Sequence, residues 1–152
     1  MPILSGSTTR EKLQVYLLDT NIVSEVRKGG RANKGVKAFF RRAAKEEQDL
    51  YLSVITVGEL RRGIEMVRHR GDQPQAALLE AWLETVLEEF GNHILPIDDD
   101  VAQLWGRLRV PHAEHSIDKL IGATAVIHDL TVVTRNQDDF SACGARLLNP
   151  FV

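Results

Sequence analysis

Five short apolar runs, VYLL at 15–18, YLSVI at 51–55, HILPI at 93–97, TVV at 131–133 and ARLLN at 145–149, constrain the fold of this chain more than any other feature. Each has the length of a strand. Between them, apolar residues recur at intervals of three and four, the period of an amphipathic helix. Ile22, Val23 and Val26 share a face in the first such segment, and Val36, Phe39, Phe40, Ala43 and Ala44 in the second. Val57, Leu60, Ile64 and Val67 follow in the third. The cleanest pattern runs from Leu79 through Trp82, Leu83, Val86 and Leu87 to Phe90, where Gly91 stops it. Val101, Leu104, Trp105 and Leu108 mark a helix before Pro111, and Leu120, Ile121, Thr124 and Ala125 form the inward face of another over 117–128. Strands separated by helices require crossovers, and crossovers make neighbouring strands parallel and cover both faces of the sheet. The expected fold is therefore α/β, a three-layer α/β/α sandwich around a mostly parallel five-stranded sheet.

With 152 residues and no linker or internal repeat, the chain is expected to form one domain over 15–152, preceded by a frayed extension over 1–14. No apolar run approaches the roughly 18 residues of a membrane span. MPILSGSTTREK lacks the basic and apolar regions of a signal peptide. Cys143 is the sole cysteine, so no internal disulfide forms, and a soluble protein of the reducing cytoplasm is expected. The net charge of −2 does not by itself favour nucleic acid, but arginines cluster as Arg41/Arg42, Arg61/Arg62, Arg68/Arg70 and Arg107/Arg109. Their distribution carries more information than the sum. Solvated helix faces explain the pairs equally well.

In an open parallel sheet, ligands bind beyond the carboxyl ends of the strands. Asp19 follows the first strand directly, Glu59 lies four residues past Ile55, and Asp118 opens the helix that leads into the fourth strand. After that strand, VTRNQDDF brings Thr134, Asn136, Asp138 and Asp139 to the same edge. Each acid has a structural alternative. Asp19 or Thr20 suits a helix N-cap, Thr56 to Glu59 fits a capping box, and Asp118 complements a helix dipole. Taken together, a crowd of carboxylates on one rim repels itself unless a cation is bound. Carboxylate oxygens are the hard ligands that Mg²⁺ and Mn²⁺ prefer, and such a site suits phosphodiester hydrolysis. Gly122, one turn beyond Asp118, permits close approach of substrate or of another backbone. His112, His115 and His128 have no zinc-site spacing and are expected to be surface or satisfied histidines. Ser24, Ser53 and Cys143 lack the context of a nucleophile, and no glycine-rich phosphate loop is present.

The segments YLLDTNIVSE, YLSVITVGELRRGIE, ILPID, IDKLIGATAVIHDLTVVTRNQDDF and LLNPF, in this order across 15–151, resemble the PIN-domain ribonucleases. More narrowly, they resemble the VapC- and FitB-like toxins of type II toxin–antitoxin systems. The resemblance implies a metal-dependent endoribonuclease in which Asp19, Glu59 and Asp118 hold Mg²⁺ or Mn²⁺. At the fourth position this chain has Asn136, where many relatives have aspartate, and Asp139 is then either a further ligand or a helix cap. Thr20, Asn21 and Thr134 would orient the carboxylates, and Arg135 would meet an RNA phosphate. A homodimer and a cognate antitoxin that occludes the acidic pocket with a basic side chain are also implied. Two competing readings stand beside it. One is a catalytically weakened binding module that keeps the PIN fold, motivated by Asn136. The other is a phosphoacceptor domain of the receiver type, which needs a lysine beside its aspartate and finds only Lys119, on the helix next to Asp118.

Overall fold

A computed structural model describes residues 14–152; the extension expected over 1–14 lies outside the described residues except for Gln14. The chain alternates as the apolar runs require. Strand β1 (Tyr16–Leu18) leads into α1 (Thr20–Val26) and α2 (Lys34–Lys45), and β2 (Leu50–Ser53) into the hairpin of α3 (Val54–His69) and α4 (Gln73–Phe90). Then come β3 (Ile94–Leu95), α5 (Asp99–Leu108), α6 (Ser116–Ile127), β4 (Thr131–Val133), the single turn α7 (Gln137–Phe140) and β5 (Arg146–Leu148).

The strands form one sheet in the order β3-β2-β1-β4-β5, parallel at every pairing. β1 is central, with Leu17 opposite Tyr51 on one side and Val132 on the other. Because side chains alternate along a strand, the sheet builds a core on each face. Tyr16, Leu18 and Val133 pack with Ile22, Phe39, Leu60 and Leu83 of α1 to α4. Leu17 and Val132 pack with Ile121 and Ala125 of α6 and with Phe140 and Cys143 beyond it. That double burial is why the strands read as unbroken apolar runs.

One helix start and one helix face differ from the sequence expectation. The run YLSVI ends as a strand at Ser53, whose hydroxyl accepts the Ile55 N–H at 3.0 Å and caps α3. α3 thus begins at Val54, so Thr56 lies inside the first turn, buried, and its hydroxyl finds no partner among the described residues. The Thr56–Glu59 capping box does not form, because Ser53 already supplies the cap. On α2, Ala44 is exposed rather than inward. Its N-cap is Asn33, whose amide oxygen accepts from Gly35 and Val36. The same oxygen accepts from the Val152 N–H, and the amide nitrogen donates to the Val152 carbonyl, which ties the C-terminal segment to this helix.

Candidate metal centre

The order of connections reverses between β1 and β4: the chain moves outward from β1 through β2 to β3, then returns to the other side for β4 and β5. At such a switch point the loops leaving two adjacent strands diverge and open a crevice. Asp19 and Thr134 follow the two strands that flank it. The Asp19 N–H donates to the Val133 carbonyl at 2.9 Å, extending the ladder by one residue and fixing the carboxylate at the sheet edge.

Asp19 is only 5% exposed and caps α1. Its Oδ1 accepts the Thr20 N–H at 2.8 Å, and its Oδ2 accepts from the Thr134 hydroxyl at 2.8 Å and the Asn21 amide at 3.2 Å. Thr134 is itself held, since its oxygen accepts the Asn136 N–H at 3.0 Å. The Asn21 carbonyl oxygen accepts the Arg135 N–H at 3.2 Å, so α1 and the loop after β4 are stitched together around the aspartate. Thr20 reaches Asp19 through its backbone N–H, whereas Thr134 and Asn21 do so through their side chains. Burial raises the Asp19 pKa above the usual carboxylate value, the hydrogen bonds from Thr134 and Thr20 pull it down, and the charge of Asp139 adds to the rise.

Asp118, in the first turn of α6, faces the same crevice. Burial, together with the carboxylates of Asp19 and Asp139, pushes its pKa up to about 6; His115 opposes the rise and Glu59 contributes to it. The cleft has a volume of about 470 Å³, and its walls include Asp19, Glu59, Asp118 and Asn136. Arg27, Lys28 and Arg135 stand on its rim. Glu59 lies in the second turn of α3, a turn farther into the helix than the sequence suggests, and it still lines the cleft. Four acids from four segments thus share one electrostatic neighbourhood. Asn136 is exposed and contributes no side-chain cap to α7; the carboxylate delivered by that turn is Asp139. The Arg135 guanidinium stacks 4.8 Å from the centre of the Phe151 ring.

Sequence reasoning missed two groups. His115 places its Nδ1 3.9 Å from Asp118 Oδ2 and 3.8 Å from Asp139 Oδ1. Only its position three residues before Asp118 hinted at this, because Asp139 comes from a distant loop. Glu25 also lines the cleft, but its carboxylate is engaged by the Lys28 ammonium at 2.9 Å and the Asn33 N–H at 2.8 Å. Those contacts hold its pKa down. Gly122 serves packing rather than substrate approach: a Cβ there would lie 2.6 Å from Cys143 Sγ. Lys119 is buried and donates to the His112 carbonyl, so it is not the free lysine that a phosphoacceptor site requires.

The donor set suits a divalent cation. The carboxylate oxygens are hard and partly desolvated, and Asp19 is pre-oriented by three hydrogen bonds, as supporting groups around metal ligands usually arrange.

Comparison with known proteins agrees with this architecture. The model of the PIN domain matches residues 16–145. Toxin FitB of Neisseria gonorrhoeae is 35% identical over 142 residues, covering 90% of this chain and 99% of that protein. The crystal structure of FitAcB from the same organism matches with a TM-score of 0.76 over 89% of this chain and 97% of that one, at 35% identity. The VapC ribonuclease Y4jK of Sinorhizobium fredii is 33% identical over 144 residues, 90% of this chain and 98% of its own length. A toxin-antitoxin complex from Klebsiella pneumoniae matches at 26% identity and a TM-score of 0.57, over 90% and 98% of the two chains. With its five-stranded parallel sheet, its acids gathered at the switch point and a family match over most of its length, this chain belongs to the PIN-domain family.

Proposed function

We propose that the protein is a metal-dependent endoribonuclease that acts as the toxin of a type II toxin–antitoxin pair. The observation that carries this reading is the buried Asp19 at the switch point, which lines one cleft with Asp118 and Glu59, with Asp139 beside Asp118. The VapC relative supplies the reaction class through its name, and FitB the role of toxin.

Asp19 and Asp118, with Glu59 and Asp139 beside them, would hold Mg²⁺ or Mn²⁺, which supplies an acidified water and charge stabilisation at a phosphodiester. The protein's own contribution is placement. Thr134 and Asn21 hold Asp19 Oδ2, the Thr20 N–H holds Oδ1, and the residue so fixed lines the cleft. Arg135, steadied by Phe151 on the rim, is positioned to receive a phosphate of the RNA strand. Asn136 stands beside it and orients substrate rather than charge. The acids that line the cleft are a natural target for an arginine or lysine of an antitoxin, and the working unit is read as a homodimer in the cytoplasm. Among the described residues, no helix is long and apolar enough to cross a membrane.

The weakened-module reading rested on Asn136; the carboxylate of Asp139 beside Asp118 favours the catalytic reading. Asp19→Ala and Asp118→Asn are each expected to lower RNA cleavage with Mg²⁺ or Mn²⁺ by at least ~100-fold, with an unchanged circular dichroism spectrum. Cleavage that persists in both well-folded variants would exclude this function. Light scattering of the purified chain, alone and with its antitoxin, tests the assembly.

A further inference from the structure

We propose that His115 is itself a metal ligand. With Asp118 and Asp139 it forms a mixed imidazole–carboxylate position that takes a divalent transition ion, Mn²⁺ in preference to Mg²⁺. The inference rests on the metal-dependent reading above and adds to it a nitrogen donor and a choice of cation.

The geometry sets this group apart from an ordinary surface ion pair. His115 Nδ1, Asp118 and Asp139 place one donor atom each within 4.8 Å of the other two. Two ligands of one small divalent cation lie at most ~4.2 Å apart, twice its ~2.1 Å bond to oxygen, and both separations from the ring nitrogen fall inside that reach. The separations from the ring nitrogen, 3.9 and 3.8 Å, are too long for hydrogen bonds, which end near ~3.2 Å. The three groups therefore crowd together without bonding to one another. Two of them are carboxylates whose mutual repulsion a cation between them relieves.

The ring is exposed, and its backbone is fixed. His115 adopts φ 55, a left-handed conformation that few side-chain-bearing residues take up. Its carbonyl accepts the Lys119 N–H at 2.8 Å, the neighbouring Ser116 carbonyl accepts the Trp105 indole N–H at 2.9 Å, and the buried Lys119 ammonium donates to the His112 carbonyl. An imidazole nitrogen is a softer donor than a carboxylate and shifts a site toward transition ions, whereas Mg²⁺ is held by oxygen and keeps its waters.

The test is Mn²⁺ binding to the full chain after removal of metal, followed by calorimetry and by pulsed electron paramagnetic resonance, which reads ¹⁴N coupling to the bound ion. His115→Asn is the informative variant, because asparagine tolerates the left-handed backbone and is too short to replace the ring. Wild-type protein is expected to show ¹⁴N coupling that His115→Asn loses. The variant should bind Mn²⁺ about 10- to 100-fold more weakly, while its Mg²⁺ affinity moves by less than about threefold. Mn²⁺ that binds without nitrogen coupling, or equally well to both proteins, overturns the ligand assignment and leaves the nuclease reading standing. Wild-type protein that takes up no Mn²⁺ at all overturns both.

Discussion

Asp118 concentrates the tension of the site in one carboxyl group. Its folded-state pKa, about 6 against an ordinary 3.8, means that the folded chain binds a proton more tightly than the unfolded chain does. Between those two values stability therefore falls as pH rises, by up to about 3 kcal/mol in full. Over pH 5 to 7 the metal-free protein is expected to lose about 1 kcal/mol from this group. Asp118→Asn should flatten that slope, as urea denaturation in EDTA at the two pH values would show. A wild-type slope identical to that of the variant would mean that Asp118 is not perturbed. Thr134 offers a complementary test, because its hydroxyl both donates to Asp19 and accepts from the Asn136 N–H. Thr134→Val keeps the volume but strands both partners, at a cost of about 1–3 kcal/mol and roughly 10- to 100-fold in cleavage. Denaturation curves and initial rates on one RNA would measure both, and a loss of activity without loss of stability would argue against the buried network.

At the scale of the elements, α6 is defined by what it packs on. Gly122 meets the Ser141–Cys143 turn so closely that an added Cβ would sit 2.6 Å from the Cys143 sulfur and 2.7 Å from its Cβ. Helix propensity alone favours Gly122→Ala by about 1 kcal/mol; overpacking opposes it with about 1–3 kcal/mol. The clash is expected to win, lowering the unfolding midpoint in urea. A variant as stable as wild type would show that the turn yields. The sequence announced this small-residue run but not its partner, which arrives from twenty residues downstream. The same division holds elsewhere. Apolar period located α1 to α6, since burial on a sheet face leaves its mark along each of them, but not α7, a single turn too short to show a period. Helix starts were less legible, because Ser53 and Thr56 are equally good caps until β2 fixes where the strand ends. Asp19 could be read because it adjoins its own strand. His115 could not, because its role depends on a left-handed backbone and on Asp139 folding back from beyond β4.

For the whole molecule, topology converts a nearly neutral chain into one with a strongly acidic crevice. Net charge is −2, yet the switch point collects Asp19, Glu59 and Asp118, with Asp139 adjoining, while Lys28 on the rim is already committed to Glu25. A phosphate chain that passes Arg27 and Arg135 on the rim and enters this cleft without metal meets like charge. One such pair at about 4 Å in water costs roughly 1 kcal/mol, which is close to fivefold in affinity. In EDTA and low salt, Asp118→Asn is therefore expected to bind a non-cleaved single-stranded RNA about fivefold more tightly than wild type does, while being the less active enzyme once Mn²⁺ is restored. Fluorescence anisotropy at matched ionic strength would read this. The gap should shrink as salt shortens the screening length from about 30 Å at 0.01 M to about 3 Å at 1 M. If the two proteins bind RNA equally in low salt, the strand does not enter between these carboxylates, and the cleavage defect of Asp118→Asn would have to arise without substrate lying at the acids.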